Sequence, residues 1–469
     1  MPASRTEEVM SAELTPKGET QGVKTLLGDP KKAIIELSVP MIAAMSMQTI
    51  YNLVDAFWVS GLGADALAGI GFVFPFFFLA MALSNGLGVG TGSALSRRIG
   101  ARDKMGADNV AVHTLIIMIL LAIAYTLPLV AFSEDLFLVI GAGKIVDMAV
   151  AYGQVIFAGS IFLFFTNVGT AILRGEGDAR RAMYAMALGA GLNIILDPLF
   201  IYTLGMGIAG AAWATILSLG ITSLVMVNWL LFKRDTYVSF TFRDFRGDKE
   251  IVKDILGVGL PSSVMQLSMS ITMLILTVIV VMAGGTDGVA VYSTGWRVAS
   301  MAVLPTMGIA TAVVPVSGAA FGARSFGKIS VLHLYALKIG LVIETALAGA
   351  TFIFAHQIAA VFTQAEAAAH IAPDLTLFLR IICLFYPAIP FGMLSSSVFQ
   401  GTGKGMNALL VTLLRTIILT SLLAALFAFI FDWGLVGVWW GLVLANIIGA
   451  SVAFSWVRRY IAGLLKKAV

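Results

Sequence analysis

The chain has 469 residues, of which 59% are hydrophobic and 12% charged, whereas a soluble domain usually carries about a quarter charged residues. No soluble fold of this length hides so much apolar surface, and a mean hydropathy of +0.95 makes the chain an integral membrane protein. The pI of about 9.1 would suit nucleic acid, but the basic residues stand at the ends of apolar runs, so the expected partner is the lipid bilayer and not nucleic acid.

Residues 1–32 read as an N-terminal tail on the cytoplasmic side, whose first 25 residues are polar, lack a signal-peptide core and are expected to be disordered. Six apolar runs follow, near 33–61, 66–95, 110–132, 146–172, 182–204 and 208–232, each long enough to cross the roughly 30 Å hydrocarbon core as a helix. They make a first lobe over 33–232. A charged linker, 233–253, leads to a second lobe over 254–469, with runs near 255–283, 288–316, 331–355, 372–398, 408–431 and 434–457 and a short C-terminal tail. The fold class is therefore an all-α membrane protein with twelve transmembrane helices in two six-helix lobes. Of the 30 Lys and Arg, 25 lie in the tails and in one alternate set of loops. The positive-inside rule then puts both termini in the cytoplasm. Cys383 is the lone cysteine, so no intrachain disulfide or cysteine metal cluster is available.

The two halves repeat. Pro40 aligns with Pro261, Gly100-Ala101-Arg102 with Gly322-Ala323-Arg324, LRGEGDA (173–179) with FQGTGKG (399–405), and Gly207, Gly210 and Trp213 with Gly434, Gly437 and Trp440. An even number of helices per copy makes the copies parallel, and such pairs enclose a central cavity that opens alternately to either side, as in secondary transporters.

Asp55 and Asp197 lie inside apolar runs, where a carboxylate costs about 2.5–3.5 kcal/mol on insertion scales. Asn193 and Asp197 share a helix face at four-residue spacing, and Thr215 lies on the next helix at the same distance from the turn at Met206 as Asp197. The helical rise places Asp55 in the same outer half of the first lobe. Two carboxylates close together in a dry cavity do not both stay ionised without a cation, which marks Asp55, Asn193, Asp197 and Thr215 as a candidate proton or sodium site. The alternative is that the two acids merely satisfy each other or backbone amides. Against it, the repeat register sets Leu276 opposite Asp55 and Leu423 opposite Asp197, so the second lobe folds without these charges. Gln48, Tyr51 and Asn52 present a polar and aromatic face beside Asp55, with Asn167 and Met186 as further candidate substrate contacts. Pro198 removes a backbone donor just after Asp197 and is a candidate hinge. Glu344, a third acid in an apolar run, has no assigned partner and is read equally as structural or functional.

Other motifs carry no chemistry. Residues 205–210 fit G-x-G-x-x-G but lie between two membrane spans, Gly403-Lys404 lacks the rest of a Walker A loop, and the histidines have no paired spacing for an enzyme site. The small-residue run 86–103 suits close helix contact, with its basic end as an interface anchor.

The segments YNLVDAFWVSGLG, NGLGVGTGSALSRRIGARDK, ILRGEGDARRAM and LNIILDPLFIY resemble the multidrug and toxic compound extrusion (MATE) family, particularly its prokaryotic and archaeal branch, and the resemblance runs over nearly the whole chain after residue 25. It implies two six-helix lobes in a V and export of organic cations and drugs in antiport with protons or sodium, with no cofactor. It also implies that Asp55 and Asp197 are the coupling carboxylates, that Asn193 and Thr215 are their companions, and that Gln48, Tyr51 and Asn167 line the drug site. The expected assembly is a monomer in the cell membrane. A lipid or lipid-linked oligosaccharide flippase is the alternative, with Arg297, Arg380 and Arg415 as its candidate basic lining.

Overall fold

The computed structural model describes residues 20–233, 236–240, 245, 247–364 and 366–467. The expected disorder of residues 1–19 falls outside the described residues. From Thr20 onward the tail is ordered instead: α1 (Gln21–Leu27) is capped by the Thr20 side chain and buries Val23 and Leu26. Their three-residue spacing gives this short helix one apolar face to dock.

The first half continues with α2 (Pro30–Ser60), α3 (Ala64–Gly100) and α4 (Lys104–Ala131). A short α5 (Ser133–Val139) leads to the fourth span, which is bent by 44° between α6 (Val146–Ala158) and α7 (Ser160–Gly175). Helix α8 (Ala179–Pro198) runs into a π turn, Leu199–Thr203, and α9 (Gly207–Val227) into another, Asn228–Phe232. In the second half, α10 (Lys249–Gly322) is 74 residues long and breaks at Gly285, whose φ of 60° and ψ of −152° divide it into two spans. There follow α11 (Phe326–Ile353), α12 (Ala355–Phe362), α13 (Ala372–Ile382), α14 (Ile389–Gly401), α15 (Gly405–Leu413), α16 (Thr420–Ala425) and α17 (Gly434–Lys466). Among the described residues, ten helices are long and apolar enough to span a membrane; the bent pair makes eleven and the break at Gly285 twelve.

Four of the helices that start at the end of the molecule carrying the termini are opened by aspartates. Asp29, Asp103, Asp178 and Asp248 each accept a backbone N–H of the first turn, which satisfies one of the donors a helix start leaves free. The repeat is visible in backbone detail. Arg102 (φ 58°) and Arg324 (φ 52°) end their helices in the same left-handed conformation, and Gly210 and Gly437 each sit where a Cβ would come within 2.6 and 2.5 Å of a carbonyl oxygen, of Phe200 and Phe427. The G-x-G-x-x-G match is thus a packing contact.

One detail of the repeat register differs from the expectation. Gly177 pairs with Gly403, a separation of 226, but Gly207 pairs with Gly434, a separation of 227, and the π turns 199–203 and 426–430 keep the larger value. The second half therefore holds one extra residue, and a π turn at Leu414–Leu419 absorbs it, where the matching part of α8 is regular α-helix. The residue opposite Asp197 is Ala424 rather than Leu423. It is fully buried and uncharged.

The two halves meet along α3 and α10. At Gly90 a Cβ would collide with the Ile255 carbonyl and lie 2.8 Å from the Gly259 nitrogen, so only glycine lets these backbones approach so closely. Ser93 donates to the Gln400 carbonyl at 2.5 Å. Arg97, expected as an interface anchor, instead pairs with Asp254 of the other half. The linker docks on the first half: Glu176 accepts the Val238 N–H at 3.0 Å, Asp108 the Ser239 N–H at 2.7 Å, and His113 the Asp248 N–H at 3.0 Å.

Candidate functional site

Helices α2, α8 and α9 bring the first-half acids together. Asp55 and Asp197 lie within hydrogen-bond reach of each other. Asp197 is fully buried and Asn193 nearly so. With the amide oriented to satisfy both its ends, Asn193 donates to Asp197 Oδ2 at 2.7 Å, accepts from the Thr215 N–H at 3.2 Å and lies 3.3 Å from the Thr215 hydroxyl. Tyr51, one turn before Asp55 on α2, stands near Thr215. Among the described residues neither carboxylate has an ion-pair partner, so the acids face each other with only neutral groups around them. Two carboxyls at such range must share a proton or hold a cation.

The oxygen set of Asp55, Asp197, Thr215 and Asn193 suits a hard cation such as sodium, once the Asn193 amide turns its oxygen to the ion. No group of three or more His, Cys, Asp or Glu gathers anywhere among the described residues. A transition-metal centre of that kind is therefore not formed by them.

Tyr202 and Trp58 close the layer towards the end remote from the termini. Tyr202 donates to the Trp58 carbonyl at 2.5 Å, and the two rings meet edge to face at 6.1 Å. Gly61 makes room for this contact, because a Cβ there would overlap the Tyr202 hydroxyl.

A family model, MatE, matches residues 40–199 and again 261–430. The chain belongs to the MATE family. Among solved structures it is similar to a MATE in complex with MaL6, at 50% identity over 95% of this chain and 100% of that one, with a TM-score of 0.93. A MOP superfamily transporter from Pyrococcus furiosus Vc1 (DSM3638) is similar at 50% identity over 96% and 99% of the chains, with a TM-score of 0.92. Multidrug export protein MepA of Staphylococcus aureus (strain NCTC 8325 / PS 47) is 26% identical over 429 residues, 90% of this chain and 92% of that one.

The other predicted positions of this MATE protein divide. Gln48 and Asn52 bond to each other at 3.4 Å on α2, with Asn52 exposed, on the same helix as Asp55. Asn167 is engaged elsewhere, donating to Ser84 at 2.8 Å. Met186 lies eleven residues before Asp197, about 16 Å along α8, and packs against the main core. Pro198 ends α8 directly before the π turn 199–203, so the helix is locally irregular where the hinge was expected. Glu344 is fully buried in the second half and accepts from the Thr306 hydroxyl at 2.5 Å, while its other oxygen has no partner. Of the three arginines considered for a basic lining, Arg297 and Arg380 are exposed, and Arg380 lies over the Phe352 ring. Only Arg415 reaches the cavity between the halves.

Sequence reasoning missed Tyr152, which stands close to both Asp55 and Asp197 from α6. A tyrosine in an apolar run gives no spacing signal relative to acids on other helices. It also missed Arg174, which closes α7 and lines the interlobe cavity; its sequence neighbours made it look like one more basic residue at a helix end.

Proposed function

We propose that this MATE protein is a secondary transporter that exports organic cations and amphipathic drugs in antiport with protons or sodium, by alternating access of the cavity between its halves. Export by the multidrug export protein MepA, to which it is similar over nearly its full length, supports the drug substrates. One observation carries the coupling: Asp55 and Asp197 lie within hydrogen-bond reach in a layer without a basic partner among the described residues. A charge state that requires a proton or a cation is what links ion entry to conformational change. Asn193 and Thr215 complete the ion site, Tyr51 and Gln48 face the substrate, and Pro198 lets α8 bend. With the termini in the cytoplasm, the contact between α3 and α10 closes the inner side. The test is efflux of a fluorescent organic cation by purified protein in liposomes under imposed pH or sodium gradients. Efflux that follows either gradient supports the reading; transport indifferent to both overturns it.

A further inference from the structure

The exposed face of α17, away from the junction of the halves, holds a cavity of about 660 Å³, within the roughly 300–1,000 Å³ of ligand-sized clefts. Ile447, Ile448 and Val452 line one end of it, Ser455, Trp456 and Arg459 the other, and Ser451 stands between. These positions recur at three and four residues, so they form one stripe along the helix, and all of them are exposed.

Helical rise fixes the depth of the stripe. Arg459 stands about 37 Å along the axis from Gly434, beyond the roughly 30 Å hydrocarbon core, which puts its guanidinium at headgroup level on the side of the termini. Ile447 lies about 18 Å back, close to the middle of the bilayer, so the stripe spans one leaflet. Trp456 sits one turn inside Arg459, where indole rings settle at membrane interfaces.

The charge at that end has no counterpart. Helix α17 contains no Asp or Glu. Among the described residues the side chains of Ser455, Arg459 and Lys466, the last two turns further on the same face, have no ion-pair or hydrogen-bond partner. The adjacent Arg458 differs, since it donates to Ser330 at 3.0 Å. Gly463, between Arg459 and Lys466, leaves open space where a side chain would stand. An ordinary interface anchor needs only a charge at the edge of the water; here an apolar concavity one leaflet long leads up to it.

We propose that this groove binds an anionic phospholipid of the leaflet on the side of the termini, with its headgroup on Ser455, Arg459 and Lys466 and one acyl chain along Val452, Ile448 and Ile447. Two cations and no acid on this helix favour a headgroup with net negative charge, whereas the ammonium group of a zwitterionic lipid finds no partner on it. The site is separate from the acidic layer and from the cavity between the halves, and the proposal holds whatever the protein transports.

The experiment uses the indole of Trp456. Protein is reconstituted in phosphatidylcholine liposomes that contain rising fractions of phosphatidylglycerol or phosphatidylcholine with brominated acyl chains, which quench an indole on contact. The Trp456 signal is the difference between each protein and its Trp456→Phe counterpart. In the wild type it should reach half quenching at a roughly tenfold lower fraction of brominated phosphatidylglycerol than of brominated phosphatidylcholine. With Arg459→Gln and Lys466→Gln combined, that preference should fall below about twofold. Lys24→Gln with Lys404→Gln removes the same charge elsewhere at this end of the molecule and should keep the preference. Quenching of the other seven tryptophans should be alike in all variants and confirms folding. Equal quenching by the two lipids in the wild type, a preference that survives loss of both α17 cations, or one lost equally in the Lys24 and Lys404 variant overturns the proposal. So does a Trp456 signal that neither lipid quenches, which would mean that a second copy of the chain covers the groove.

Discussion

Arg97 Nη1 and Asp254 Oδ1 lie 2.8 Å apart and tie α3 of the first half to the start of α10 in the second. The pair is partly exposed, at 15% and 31% of the side chains, so its share of the closure is about 0.5–1 kcal/mol. Asp254→Asn should lower the ratio of closed to open molecules by roughly two- to fivefold. Spin labels at the exposed positions Ala101 and Gly327 read this as a larger long-distance fraction. An unchanged distance distribution would mean that the α3–α10 backbone contact alone holds the halves.

Asp55→Asn and Asp197→Asn should each abolish gradient-driven export while membrane expression persists, because amide replaces acid without opening a cavity. Leu276→Asn, at the buried position matching Asp55 in the second half, should instead cost stability and leave the coupling ion unchanged. Export retained in either aspartate variant would remove the acids from the coupling role.

Ion and drug should oppose each other. If the ionised acids attract a cationic drug, a proton or sodium ion at Asp55 and Asp197 removes that attraction, and a hundredfold antagonism corresponds to about 2.7 kcal/mol of coupling. The affinity of a fluorescent cation, followed from pH 5 to 9 with and without sodium, should fall as pH drops or sodium rises. In Asp197→Asn it should be weak and flat. Wild-type affinity that ignores both ions would contradict this linkage.

Gly61→Ala puts a methyl group where the Tyr202 hydroxyl lies and should displace it from the Trp58 carbonyl. Both residues are exposed and the tyrosine can swing aside, so the expected loss is below about 1 kcal/mol, seen as a lower melting temperature in detergent. Adding Tyr202→Phe removes the clashing oxygen and should recover part of the loss. If the double variant is no more stable than Gly61→Ala, the overlap is not the cause.

Glu176 lies in the loop after α7, and burial pushes its carboxyl up to about 8 despite the Val238 N–H that it accepts. A carboxyl raised above its unfolded value of 4.5 contributes stability that is complete below pH 4.5 and is lost as pH rises to about 8. The melting temperature of wild type relative to Glu176→Gln should therefore decline across that window and level off above it. A difference that stays constant with pH would show that Glu176 does not titrate there.

The sequence by itself determined the membrane class, the duplicated halves and the acids of the first half. Each of these follows from local rules: apolar length, a repeated string of glycines and prolines, and the rarity of a carboxylate in an apolar run. It also levelled Asp55, Asp197 and Thr215, since helical rise converts residue counts into depth. Tertiary structure decided the rest. The ordering of α1 depends on a surface for Val23 and Leu26, and Tyr152 joins the acids only because α6 packs beside them. The repeat pairs already shift by one residue between 173/399 and 207/434, but setting Ala424 opposite Asp197 needed the π turn at 414–419, which shows that the extra residue comes before that point. That turn carries Arg415 into the cavity with Arg174. Which charges share a cavity depends on packing between helices more than 200 residues apart, and no periodicity within one helix encodes it.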